Sequence, residues 1–172
     1  MTLARGDALT LERLATPIGT ALLVTDEDGA LRAFDWAEHE DVLVAQLARR
    51  APASRLREGV TPVHDAFVSY FGGEVNALTD VRWIASGTEF QRAVWGALRS
   101  IPAGQTITYA ELARRVGRPR AVRAVGTANG ANPVAVVVPC HRVVGSDGTL
   151  TGYAGGVSRK RWLLAHEGVT FA

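Results

Sequence analysis

The chain has 172 residues, 47% of them hydrophobic and 21% charged, with one cysteine and a formal net charge of +2. That length can bury the core of one domain or of two small ones, one cysteine excludes an internal disulfide and suits a reducing compartment, and no N-terminal apolar stretch has signal-peptide or membrane-spanning form. The expectation is a soluble, cytoplasmic, monomeric protein with no membrane partner.

In chain order, Leu9 to Leu14 alternates apolar and polar residues, Thr16-Pro17-Ile18-Gly19 turns, and Ala21 to Thr25 reads as a second strand. Asp28-Gly29 turns again and Leu31 to Trp36 makes a third strand, which together describe a β-meander. Asp41 to Arg50 carries Val42, Leu43, Leu47 and Ala48 at helical spacing. Thr61-Pro62 then offers an N-cap and a first-turn proline to a helix bearing Phe67, Tyr70 and Phe71, which Gly72-Gly73 stops. His39 and His64 have no cysteine or second histidine at metal-ligand spacing and read as ordinary polar residues. No metal or organic cofactor is predicted.

Charge separates along the chain. Divided at Gly87, it has 8 Arg and Lys against 13 Asp and Glu before that point and 11 against 4 from it onward, or −5 and +7. The second half is the one suited to a polyanion, although a solvated basic surface has the same composition. The expected division is a scaffold domain over 1–80, a linker over 81–87 and a second domain over 88–172.

Thr88 with Gln91 is a capping-box pair that opens a helix bearing Phe90, Val94, Leu98 and Ile101, ended by Pro102-Ala103-Gly104. Thr108 with Glu111 repeats the pair for a short helix through Val116. After Gly117-Arg118-Pro119 a further helix runs from about Arg120 to Asn129, so the region reads helix, glycine-containing turn, helix. The second of these helices is nearly bald, with Ala121, Ala124, Gly126 and Ala128 around Arg123. Small residues permit close approach, either of another helix in a core or of an external partner. Near the C-terminus, Ser158 reads as the N-cap of a last helix, which places Arg159, Lys160 and Arg161 in its first turn, where the helix dipole disfavours cations.

Val134 to Val138 is a continuous apolar run that predicts a buried strand, ended by Pro139, which leaves Cys140 and His141 on the turn beyond. A thiol becomes a nucleophile only as a thiolate, which requires a base, a cation or a helix N-terminus to lower its pKa from about 8.5. His141 and Arg142 follow at once. On that pair alone a small buried hydrophobe is the commoner reading of such a cysteine.

The strings Asn132-Pro133, Pro139-Cys140-His141-Arg142-Val143-Val144, Gly152-Tyr153-Ala154-Gly155-Gly156 and Trp162 to Gly168 change that balance. At these spacings, over Gly87 to Gly168, the sequence closely resembles the O6-alkylguanine-DNA alkyltransferases, also called methylated-DNA-protein-cysteine methyltransferases. The resemblance implies an α+β fold: a small N-terminal sheet-plus-helices domain, then a mainly helical C-terminal domain with a winged-helix-like helix-turn-helix. It implies direct-reversal DNA repair, a single-turnover, irreversible transfer of the alkyl group from O6-alkylguanine, and less efficiently from O4-alkylthymine, to Cys140 after base flipping. The partner is then double-stranded DNA containing O6-alkylguanine.

Residue by residue, the resemblance gives His141 as a base acting on Cys140 through a water, Glu167 as the group orienting it, Asn132 as the brace of the cysteine turn, and Tyr109 as the donor to the departing guanine. Ala121, Val122, Arg123, Ala124 and Gly126 match the helix laid into the minor groove, with Arg123 filling the space of the flipped base. Val143, Tyr153, Ala154, Gly155 and Lys160 match the base pocket. Ala154 stands where some members carry serine, so a side-chain hydroxyl contact is lost there while backbone donation survives. The rival readings are an alkyl-lesion sensor without chemistry, a helix-turn-helix regulator, and a cysteine hydrolase, for which no oxyanion-hole motif is visible. The sensors lack the reactive cysteine, which this chain keeps.

Overall fold

The computed structural model describes residues 8–171, and the chain divides into two compact units between Ser86 and Gly87. The fold is α+β, as the sequence indicates. Among the described residues no helix is long and apolar enough to cross a membrane.

In the first unit β1 (Ala8–Thr16), β2 (Gly19–Thr25) and β3 (Leu31–Trp36) form the expected antiparallel meander, with Pro17-Ile18 as the tight turn between paired Thr16 and Gly19. Helix α1 (Glu40–Arg50) packs Leu43 and Leu47 on one face of the sheet, against Leu9, Leu11, Leu22, Val24 and Ala33. Phe34 and Trp36 of β3 meet edge to face, and Phe34 stacks on Phe67 of α2 (His64–Phe71). Strand β4 (Arg55–Glu58) was not legible in advance: it pairs in parallel with β1 at the sheet edge, and all four of its residues are exposed, so it carries no apolar alternation.

The start of α2 corrects the sequence reading. Thr61 is not its N-cap; the helix begins at His64 after Val63, and Thr61 donates its backbone N–H and hydroxyl to Glu12 at 3.0 and 2.7 Å. Glu12 lies buried within β1 and also pairs with His64 Nδ1, so the two residues form an ion pair across 52 positions and His64 is more than a surface polar group. A buried carboxylate needs such partners, and it draws Thr61 away from the helix end. The expected linker is also shortened. Leu31 N–H donates to Arg82 O and Ile84 N–H to Leu31 O, so residues 82–84 are tied to the first unit's sheet.

The second unit contains α3 (Glu89–Arg99), β5 (Ile107–Thr108), α4 (Tyr109–Arg115), α5 (Val122–Gly130), β6 (Val143–Val144) and α6 (Val157–His166). Thr88 and Gln91 make both bonds of the capping box. Thr108 accepts from Glu111 N–H, but the Glu111 carboxylate turns to Arg114 and Arg115, leaving that box half made. Val94, Trp95 and Leu98 of α3 are buried with Leu112 and Val125, and Trp95 Nε1 donates to Ala128 O at 2.9 Å, fixing α5 to α3.

Two local expectations fail here. The four valines of Val134 to Val138 are buried as foreseen, with Ala135 half-buried, but the run is a turn and not a strand: Val138 N–H returns to Val134 O, and Val136 has a φ of 71°. The side chain of Asn132 takes the place of a neighbouring strand, accepting from Val134 N–H at 3.0 Å and donating to Val138 O at 2.7 Å. Ser158 lies inside α6, whose N-cap is Gly156 at a φ of 96°, a left-handed conformation that suits glycine and disfavours other residues.

Candidate active site

Pro139 closes the buried turn, and Cys140–Arg142 forms a single 3-10 turn that leads into β6. β6 pairs in parallel with β5, Ile107 with Val143 and Thr108 with Val144. Since Tyr109 follows Thr108 as the first residue of α4, this two-stranded ribbon brings the tyrosine beside the cysteine turn. Tyr109 hydrogen-bonds with the Thr151 side chain, and an alanine-sized side chain at Gly126 would lie 3.8 Å from its ring, so the glycine of α5 faces the tyrosine.

Cys140 is 6% exposed. Burial pushes its thiol upward in pKa, against the opposing effects of Asn132, the Lys160 charge and the backbone N–H groups of Cys140 and His141. The resting group is therefore a thiol. Deprotonation has to accompany the reaction.

His141 is fully buried and its Nε2 meets Glu167 Oε1 at 2.8 Å. Burial lowers the imidazole's pKa, opposed by Glu167 and reinforced by the positive charges of Arg142 and Lys160, so the ring is neutral at pH 7. Burial would raise the Glu167 carboxyl, but His141 and Arg142 outweigh it and hold it at about 2. An ionised carboxylate only accepts hydrogen bonds. Nε2 must therefore carry the proton, and Nδ1, which has no hydrogen-bond partner among the described residues, presents its lone pair.

Lys160, which the resemblance assigns to the base pocket, is a buried tether. Its ammonium donates to Val143 O at 2.6 Å and Thr151 O at 2.9 Å, joining the segment after the cysteine to the loop that precedes α6, and sits 6.0 Å from the centre of the Tyr109 ring. Arg159 donates to Gly155 O and Arg161 lies over Phe171, so each cation of this first turn has a protein partner. Burial raises the Tyr109 pKa, so the tyrosine is a protonated donor at neutral pH.

The structure thus gathers Cys140, His141, Glu167, Asn132, Tyr109, Val143 and Lys160 around one turn. Tyr153 and Gly155 are half-buried in the following loop and Ala154 is exposed. Val122, Arg123 and Ala124 lie on the exposed face of α5, Ala121 and Gly126 are half-buried, and Val125, Ala128 and Asn129 face inward. The inner face of the bald helix packs, while its outer face remains open around Arg123. Sequence reasoning noted Arg142 as a cation beside the cysteine but not its grip on Glu167, and it missed Asn129, whose amide reaches Cys140 O at 3.4 Å. The helical register of α5 could have indicated Asn129; nothing local pairs Arg142 with Glu167, 25 residues on.

Residues 89–169 match the family model described as 6-O-methylguanine DNA methyltransferase, DNA binding domain. The methylated-DNA-protein-cysteine methyltransferase of Salmonella typhimurium is 47% identical over 161 residues, which cover 91% of this chain and 94% of that protein. The crystal structure of Mycobacterium tuberculosis O6-methylguanine methyltransferase superposes with a TM-score of 0.77 at 38% identity, covering 92% of each chain. The Mycobacterium tuberculosis OGT solved in complex with DNA superposes at 0.72, with 38% identity and the same coverage.

Proposed function

Because the chain belongs to the methylated-DNA-protein-cysteine methyltransferase family, we propose that it repairs DNA by moving the alkyl group of O6-alkylguanine, and less readily of O4-alkylthymine, onto Cys140, once per molecule. The observation that carries this reading is the thiol held on a turn next to a neutral histidine whose tautomer is fixed by Glu167.

In the reaction Cys140 Sγ attacks the alkyl carbon, the new S–C bond forms as the C–O6 bond breaks, and guanine departs with the electron pair. The thiol proton passes to His141 Nδ1 through a bridging water. Tyr109 donates a proton to the departing base and recovers one afterwards, so the thiol proton ends on guanine and no external oxidant or reductant enters. A buried thiol cannot reach O6 inside the stack, so the base is flipped out. Arg123, on the exposed face of α5, takes its place in the duplex. Asn132 braces the turn and Lys160 secures the pocket wall. Val143 O, with two lone pairs and one occupied by Lys160, can still accept from the base. The protein acts as a monomer.

Intact-protein mass spectrometry after incubation with an O6-methylguanine duplex tests the reading. A gain of one methylene unit mapped to Cys140 is the expected result. Duplex binding with no mass gain would make the protein a sensor and overturn transfer, and continued turnover beyond one equivalent would indicate a hydrolase.

Arg123→Ala separates extrusion from chemistry. Its rate on duplex should fall about 10-fold or more, because the unstacking cost of a few kcal/mol is no longer offset, while its rate with free O6-benzylguanine changes less than about twofold. Equal losses on both substrates would assign Arg123 to the pocket or the fold.

A further inference from the structure

Arg142 directs its whole guanidinium at two acceptors. Nε donates to Glu167 Oε2 at 2.9 Å, Nη2 to Glu167 Oε1 at 2.9 Å, and Nη1 to the carbonyl of Ile101 at 2.5 Å. The side chain is 11% exposed and that of Glu167 is 0% exposed. Ile101 follows the end of α3, and Gly104 beyond it has a φ of +86°, with the space of a Cβ there only 3.1 Å from Glu167 O. The end of α3, the cysteine turn and the end of α6 therefore meet at one planar fork.

Glu167 Oε1 accepts from both His141 and Arg142. In a His-carboxylate pair left to itself, the anion stabilises the imidazolium and makes the ring more basic. Here the carboxylate is already neutralised by a bidentate arginine, the geometry in which such a pair is strongest. Its pull on the imidazole proton is thereby weakened, and its hydrogen bond fixes the direction of Nε2.

Resting on the transfer reaction proposed above, we propose that Arg142 is a positioning residue: by neutralising Glu167 and tying it to the Ile101 carbonyl, it keeps His141 neutral, with Nε2 protonated and Nδ1 free to accept. The other groups facing His141 act in the same sense or are uncharged. Lys160 of α6 is a second cation, Cys140 is a thiol, and Tyr109 of α4 is a neutral phenol. On the α3 side Arg99 is turned to Val137 O at 2.8 Å. The lowered imidazole pKa agrees with this arrangement.

The consequence is a pH profile. A base must be unprotonated to act, so transfer by the wild type should hold its rate as pH falls through 6.5, the ordinary histidine value. In Arg142→Met the uncovered carboxylate favours imidazolium, and the fall-off should move up by about one pH unit or more. Arg142→Lys retains the charge without the fork and should keep the inflection near the wild-type position. Nitrogen-15 NMR titration of His141 in wild type and both variants, beside the pH-rate profile of methyl transfer, provides the test. A His141 that titrates above 6.5 in wild type overturns the proposal even if Arg142→Met fails to fold. An Arg142→Met profile that overlays wild type with a lowered thermal midpoint would reduce Arg142 to a structural clamp and also overturn it. If no form of the protein transfers methyl, the reaction itself is refuted, while the titration still decides the role of Arg142.

Discussion

Cys140→Ser should lower methyl transfer by about 10⁴-fold or more while leaving affinity for duplex DNA within about 0.5 kcal/mol of wild type. A hydroxyl at this position has the shape of the thiol, but serine is a weak nucleophile at neutral pH unless a strong base withdraws its proton. His141 is not that base: its imidazole pKa is lowered by burial and by the cations beside it. Sulfur tolerates the weak base because its proton is far easier to remove and its electrons are more polarisable. Binding should survive because the exposed arginines of the helix-turn-helix, Arg118, Arg120 and Arg123, are distinct from the cysteine, which is only 6% exposed. Transfer kinetics and fluorescence-anisotropy titration on the same duplex provide the two readouts. Methylation of the serine variant at a rate near wild type would remove Cys140 as the acceptor.

Glu167→Gln should have two effects at once. It leaves Arg142 buried without its counter-charge, and breaking a buried pair typically costs about 3 to 5 kcal/mol; the two contacts that a glutamine oxygen can still accept place the expectation near the lower end, about 3 kcal/mol. The amide also offers a donor where the carboxylate could only accept, so His141 can adopt the other tautomer and turn a protonated Nδ1 toward the thiol. Wrong-tautomer effects in histidine-carboxylate systems reach about 10⁴-fold. Since the thiol proton here needs only a weak acceptor, a loss of about 10²-fold is expected. Chemical denaturation and reaction with free O6-benzylguanine measure the two effects separately. Loss of stability with an unaltered transfer rate would confine Glu167 to its ion pair with Arg142. Glu167→Asp, which keeps the charge on a shorter side chain, should recover part of the stability and less of the rate.

Much of the second unit was legible because its signals are short-range. Thr88 with Gln91 and Thr108 with Glu111 are pairs three residues apart, and a cap is made between the groups that the spacing brings together. The proline before Cys140 placed the cysteine on a turn whichever conformation preceded it. The run of valines did not specify that conformation: burial was clear, but a buried strand needs a neighbouring strand. Asn132 supplies the hydrogen bonds from two and six residues away and folds the run into a turn.

The first unit shows the opposite limit. Thr61 satisfies every local criterion for an N-cap, and Glu12, 49 residues earlier, captures its hydroxyl. Burial makes the carboxylate's demand for donors stronger than the helix end's demand for an acceptor, since the exposed helix end can be satisfied by water. No window of sequence contains both residues. Strand β4 escaped detection for a related reason, because an exposed edge strand is defined by its pairing with β1 and not by the pattern of its side chains.

By itself the sequence determined the cysteine turn, the helix-turn-helix and the charge asymmetry, together with the motif that identifies the family, because each lies in adjacent residues or in a count. Tertiary structure alone decided the protonation chemistry. Cys140 is a thiol because of burial, and His141 is neutral chiefly because of burial, with Arg142 and Lys160 adding to it against Glu167, which is oriented by a guanidinium that also holds the end of α3. Side-chain pKa values depend on burial and on charges within a few ångströms. Here Lys160 and Glu167 stand 19 and 26 residues from His141 along the chain while Arg142 is its neighbour, and only the folded packing of α3, α6 and the cysteine turn sets their positions around the ring.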